Sequence, residues 1–158
     1  YSTDENGRLL AEHQSVWLTI DGQPATRRAT AIISITEENR HVVWHGEKTV
    51  TNTDGEEVTR VADHVIDVDP ITHCSVVNGT ATITRSDKVV HAELVELTSC
   101  ALPDGAHSCP TGTINATVEG RDVQITKSFD GTETATIEVV KPKGVKTKEV
   151  LLNCVAQP

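Results

Sequence analysis

The sequence predicts an all-β protein built as an antiparallel meander of about ten strands. Threonine, valine and isoleucine, which suit pleated and half-buried surfaces, occupy 52 of the 158 positions. Turn signals recur at close intervals, and between them apolar residues fall at every second position, as in Val16, Leu18 and Ile20. Connections of about two to six residues can join only antiparallel neighbours. These observations favour a meander and largely exclude a helical architecture.

Turns and alternation together locate the individual strands. The predicted strands, with a break at Asn78-Gly79, are 14–20, 29–36, 41–51, 57–68, 74–85, 88–98, 111–118, 122–128, 133–140 and 148–155. Residues 1–13 are expected to be irregular or peripheral, because Gly7 and the terminal position weaken their one helix-like pattern. No linker rich in Gly, Pro or Ser interrupts the chain, so we expect a single β domain over residues 1–158.

A meander of this length has to bury its apolar faces and remove its edges. It does so by closing on itself or by splitting into two packed sheets. We expect a closed or nearly closed barrel. The alternative is a two-sheet β-sandwich, in which the loops around Pro70, Pro103 and Pro110 pass from one sheet to the other.

Four cysteines, Cys74, Cys100, Cys109 and Cys154, predict two disulfides, because their number is even and their spacing is not that of a zinc site. Of the three pairings we favour Cys100 with Cys109, which would close a loop rich in Pro, Gly and Asp, and Cys74 with Cys154. Disulfides persist in oxidising compartments. We therefore expect a secreted, periplasmic or surface-anchored protein.

Charge and composition argue against a nucleic-acid partner and against a membrane-spanning segment. With 14 Lys and Arg against 23 Asp and Glu, the chain carries a formal charge of −9 and has no basic stripe to neutralise phosphates. It also has few aromatic rings on which bases could stack. The apolar runs are far shorter than the ~20 residues of a membrane-spanning helix. We expect no nucleic-acid partner and no transmembrane segment, and the oligomeric state is left open.

The densest group of potential metal ligands contains Asp67, Asp69 and His73. Alternate residues of a strand point to one face about 6.6 Å apart, so the two carboxylates could share a calcium ion with loop oxygens. The alternative interpretation is the solvent face of a strand that ends at Pro70. Calcium is therefore the one candidate cofactor, and otherwise we expect none.

His41 and His45 have the four-residue spacing of a helical ligand pair, but their segment has the alternation of a strand. Along a strand their rings would be roughly 13 Å apart, too far to hold one metal ion without other ligands. We therefore expect solvent-facing histidines, with Val42, Trp44 and Val50 on the opposite, core-facing side.

Two regions are candidates for binding a partner. Trp17 lies out of phase with its apolar neighbours and is expected to face outwards, where exposed aromatic residues anchor sugars or proteins. The loop 101–108, with Leu102, Asp104 and His107, would be constrained if its flanking cysteines were bonded, and constraint lowers the entropic cost of recognition. The alternative interpretation of this loop is a simple tether between two strands.

No segment carries a nucleophile elbow, a metalloprotease helix or a phosphate loop. We therefore expect a secreted or cell-envelope, non-catalytic β domain that binds a protein or cell-surface partner. One alternative is a β-barrel that holds a small apolar ligand in its interior. A second alternative is a metal-dependent or acid–base enzyme. In composition alone the chain resembles β-rich domains of bacterial surface lipoproteins, and this resemblance assigns no role to any residue.

Overall fold

The computed structural model describes residues 2–3, 5, 8–18, 24–35, 39–51, 54–103 and 105–156, and for residues 2, 13–18, 24, 25 and 27 it describes the backbone alone. Its elements are all β-strands. They are β1 (Ser2–Thr3), β2 (Leu9–Leu18), β3 (Pro24–Ile35), β4 (Arg40–Thr51), β5 (Glu57–Val68), β6 (Cys74–Arg85), β7 (Lys88–Cys100), β8 (Thr111–Val118), β9 (Gln124–Asp130), β10 (Thr134–Lys141) and β11 (Gly144–Leu151).

The described strands form one sheet in which spatial order follows chain order from β1 to β11, and every neighbouring pair is antiparallel. The predicted all-β antiparallel meander is confirmed. Three strands begin at least four residues before their predicted starts, and one of them is β3, which begins at Pro24 rather than at residue 29. Strand β2 begins at Leu9, so part of the segment 1–13 is regular rather than irregular. Strand β11 begins at Gly144 because the chain reverses after Lys141 in a two-residue turn.

The sheet is open. Among the described residues, each strand makes contacts only with its neighbours in sequence, so the expected closed barrel is not confirmed, and the strands do not divide into the two sheets of a sandwich. The accessible surface is 10651 Å², whereas a globular monomer of 17.0 kDa exposes roughly 7,700 Å². Much of both faces of the sheet therefore remains accessible to solvent.

Alternation gives the sheet an apolar face and a polar face. The apolar face carries valine, isoleucine and leucine around a cross-strand row of small residues, in which each member is the register partner of the next: Ala29, Gly46, Ala62, Ala81, Ala92 and Ala116. The polar face carries mainly Thr, His, Asp and Glu. Four members of this row, Ala29, Gly46, Ala62 and Ala81, are buried, and Ala62 is only 2% exposed.

A β-bulge in β7 changes the register of the sheet. Val95 and Glu96 together oppose Asn78 of β6, whose Oδ1 accepts a hydrogen bond from the Glu96 backbone N–H at 2.8 Å. On the other side, Gly112 of β8 has φ +108°, and a Cβ there would lie 2.4 Å from the Glu96 carbonyl oxygen. Only glycine fits that position. The predicted break at Asn78-Gly79 is thus the partner side of this bulge.

Two disulfides are present, but their pairing corrects the prediction. Cys74 bonds to Cys100 and Cys109 bonds to Cys154, so the expected pairs Cys100 with Cys109 and Cys74 with Cys154 were wrong. The extra residue of the bulge sets Cys100, rather than Ser99, directly opposite Cys74. The loop between Cys100 and Cys109 is closed instead by backbone hydrogen bonds, including Ser108 N–H to the Cys100 carbonyl at 2.9 Å.

The second disulfide fastens residues 152–156, which we name the strap, across one end of the sheet. The Cys109 N–H donates to the Val155 carbonyl at 2.7 Å, and the Val155 N–H donates to the His107 carbonyl at 3.0 Å. Ser108, Cys109 and Ala135 at this end are at most 3% exposed. This end is therefore one of the buried parts of the described structure.

Candidate functional site

Two histidine–aspartate pairs lie on the polar face of strands β4 and β5. The register sets His41 opposite Asp67 and His45 opposite Asp63. His41 Nδ1 lies 2.7 Å from Asp67 Oδ1, and His45 Nδ1 lies 2.6 Å from Asp63 Oδ1. The four side chains are 41% to 65% exposed, so a partner can reach them directly. The expectation that these histidines face solvent, opposite Trp44, agrees with this register.

Each carboxylate engages one ring nitrogen and fixes the orientation of its imidazole, which leaves Nε2 as the outward group for a partner. Asn39 Nδ2 also donates to Asp67 Oδ1, at 3.0 Å. The hydrogen bond from His41, followed in size by that from Asn39, lowers the pKa of Asp67 from its usual value. Asp67 is therefore held as a carboxylate beside an oriented imidazole.

An apolar strip separates the two pairs. Ile32 is the register partner of Val43, and Val43 is the register partner of Val65, so the three side chains form one row across β3, β4 and β5. They are 37%, 44% and 37% exposed. We name this strip, together with the two histidine–aspartate pairs, the histidine–aspartate patch. It combines an exposed apolar centre with a polar border.

The same rows continue into hydroxyl residues on β3. Ser34 is the register partner of His41, and Thr30 is the register partner of His45. Ser34, His41 and Asp67 therefore follow one another in the order nucleophile, base and acid that hydrolases use. Among the described contacts, no hydrogen bond joins Ser34 to His41.

The pairing of these residues was missed at the level of sequence, although a signal was present. His41 and Asp67 are equidistant in sequence from Asp54, and so are His45 and Asp63, which places each pair in register across a hairpin centred on that residue. The spacing of His41 and His45 and the turn residues between β4 and β5 carry this signal together. Counting outwards from the turn would have joined them.

The predicted metal ligands Asp67, Asp69 and His73 lie at the end of β5 and in the segment that follows it. The Asp67 carboxylate contacts His41. Asp69 Oδ1 accepts hydrogen bonds from the backbone N–H groups of Ile71 and Thr72 at 2.7 and 3.1 Å. The bonds from these N–H groups lower the pKa of Asp69. His73 lies in the exposed turn with φ +55°. Within the described part of the chain, no three His, Cys, Asp or Glu residues are grouped as a metal site.

The other predicted binding residues lie apart from the histidine–aspartate patch. Leu102 is half-buried in the turn that its own carbonyl closes with the Gly105 N–H at 3.0 Å, and His107 is exposed on the returning segment. Asp104 lies outside the described residues. The backbone of Trp17 pairs with Ala25 in the β2–β3 ladder, and its side chain lies outside the description.

Comparisons with known proteins assign no family: no family model, no curated protein and no solved structure matches this chain. In the described part of the chain, no helix has the length and apolar character needed to cross a membrane.

Proposed function

We propose that the protein is a secreted or cell-envelope, non-catalytic binding module, and that its histidine–aspartate patch contacts a protein or cell-surface partner. The observation that carries this proposal is the exposed row of Ile32, Val43 and Val65 between two polar pairs. Protein interfaces combine an apolar centre with a polar rim in the same way. The two disulfides support an oxidising compartment.

The exposed apolar area of the patch limits the free energy that it can contribute to binding. From their fractional exposures, the three apolar side chains leave on the order of 200 Å² uncovered, and burying that area contributes about 5 kcal/mol before the costs of association. A stable interface buries about 800 Å² on each partner. The apolar strip is therefore the anchor of a larger contact across the polar face.

The test compares matched substitutions on one face. Val43→Thr with Val65→Thr removes apolar surface while keeping side-chain shape and strand propensity, whereas Val140→Thr makes the same change on the polar face of β10, where valine is also 37% exposed. Labelled protein is titrated onto cells and envelope fragments of the organism that makes it. Saturable binding should weaken at least tenfold for the double variant and stay unchanged for the control. Equal binding by both variants contradicts the proposal.

A second candidate function, acid–base hydrolysis, rests on the row Ser34, His41 and Asp67. An activated serine would be labelled covalently by a fluorophosphonate probe, and Ser34→Ala or His41→Ala would abolish the label. A labelled wild type would favour catalysis over passive binding. An unlabelled wild type would leave the binding module as the better account.

The remaining alternative, a small apolar ligand inside a closed barrel, requires an enclosed interior. The described strands form an open sheet, so an apolar ligand would meet the apolar face directly.

A further inference from the structure

The apolar face of β4 and β5 carries a small slot of about 240 Å³ behind the histidine–aspartate patch. Every second register pair along β4 and β5 faces this side, and three of these pairs build the slot, each with one residue from either strand. The first pair is aromatic, the second is small and the third is cationic. This site lies on the opposite face from the histidine–aspartate patch and does not depend on the proposed function.

The aromatic wall consists of Trp44 and His64. Their rings stack with centroids 5.1 Å apart and planes inclined by 26°. Gly46 makes this arrangement possible, since a Cβ there would lie 2.1 Å from Trp44 Cζ2. The indole therefore lies across Gly46, and the adjacent Ala62, 2% exposed, completes a tightly packed floor.

The opposite wall consists of Lys48 and Arg60, which are direct register partners and both exposed. Like charges placed opposite each other across two strands destabilise a sheet. The β3 backbone extends the row, because Arg27 is the register partner of Lys48. A chain with a formal charge of −9 thus concentrates basic residues in one cross-strand row beside an aromatic pair.

The electrostatics at His64 agree with a positive slot. Burial, followed by the charge of Arg60, lowers the pKa of His64, although Asp63 opposes this shift. His64 Nε2 is buried and has no hydrogen-bond partner among the described residues. Glu47 also lines the slot, but alternation places its side chain on the polar face, so it contributes backbone there.

We propose that this slot binds a small aromatic carboxylate. The ring of the ligand would stack against Trp44 and His64, and the carboxylate would accept hydrogen bonds from Arg60 and Lys48. A volume of about 240 Å³ admits a single aromatic ring with a short acidic arm.

Titration with phenylacetate tests the proposal, with the indole N–H resonance of Trp44 followed by NMR in a Trp17→Phe background that leaves one indole signal. Phenylacetamide has the same ring without the charge, and inorganic phosphate has the charge without the ring. We expect saturable shifts with phenylacetate and at least tenfold weaker binding of both other probes. Equal binding of phenylacetamide or of phosphate, or no saturable shift with any probe, overturns the proposal.

Matched charge variants locate the site. Arg60→Gln and Lys48→Gln should each weaken phenylacetate binding at least fivefold, whereas Lys148→Gln removes an exposed lysine on the same face of β11 and should leave binding unchanged. Because Arg60 is exposed, the Arg60→Gln variant should fold as well as the wild type by circular dichroism. If Lys148→Gln weakens binding as much as Arg60→Gln, the effect is one of general charge and the assignment to the slot is wrong.

Discussion

Removal of the Cys109–Cys154 disulfide is expected to loosen the strap and destabilise the whole sheet. The bond joins residues 45 apart in sequence, for which the loop-entropy model gives a stabilisation of about 4 kcal/mol. The two strap hydrogen bonds to the 107–109 segment contribute about 1 kcal/mol each if they are also lost. The double variant Cys109→Ala with Cys154→Ala should therefore lose about 4 to 6 kcal/mol of unfolding free energy.

Urea denaturation measures this loss. With a slope of about 2 kcal/mol per molar, a loss of 4 kcal/mol lowers the midpoint by about 2 M. The matched control, Cys74→Ala with Cys100→Ala, removes a bond spanning 26 residues and should cost about 3.5 kcal/mol. Only the first variant should accelerate amide hydrogen exchange at Val155. A midpoint shift below about 0.5 M, or unchanged exchange at Val155, would refute the role assigned to the strap.

Three further substitutions have defined outcomes. Gly46→Ala should displace the Trp44 indole from its position over residue 46 and lower the free energy of unfolding by about 1–3 kcal/mol. The displacement should change the near-ultraviolet circular dichroism signal, and an unchanged signal would refute this packing. Gly79→Ala should be more severe, because its Cβ would lie 2.1 Å from a backbone oxygen of β5; wild-type thermal stability would contradict this. The pKa of Asp67 is lower in the folded state than its unfolded value of 3.8. The ionised Asp67 therefore stabilises the folded state above pH 3.8, and this stabilisation is lost as the pH falls through the lower, folded-state pKa. The urea midpoint of wild type should therefore converge on that of Asp67→Asn below that pH, and a constant difference between them would show that the hydrogen bond from His41 does not act in this way.

Local features of the chain were sufficient to predict most strands. Period-two alternation and turn signals located the strands from β3 to β10 to within a few residues, except that β3 begins earlier, at Pro24. The prediction was wrong for β11 because the turn after Lys141 was not recognised, and residues 148–155 were joined into one strand. Closure could not be predicted, since alternation specifies which face is apolar but not what covers that face.

The disulfide pairing failed for a different reason. From the turn at Ser86-Asp87 alone, Cys74 would lie opposite Ser99, and Cys100 would point to the other face. One extra residue at Glu96 reverses that relation. A single bulge thus decides which sulfurs can meet, and bulge positions follow from contacts between strands rather than from local sequence.

The candidate site was predictable in part. The solvent-facing side of His41 and His45 followed from alternation alone. Their partners required the register of β4 with β5, and this register depends on the turn that joins the two strands. The slot behind the histidine–aspartate patch depends on the same register, because only correct pairing brings Lys48 opposite Arg60.

One spin-label distance tests whether the meander stays open and leaves both faces accessible to solvent. Glu12 on β2 and Thr147 on β11 are exposed and lie on the same cross-strand row, nine strand steps apart. At about 4.8 Å per step the row measures roughly 43 Å along the sheet, and twist shortens the direct distance. We predict a label separation of at least about 20 Å. A separation below about 12 Å, as between adjacent strands, would show a closed barrel and contradict the open-sheet account.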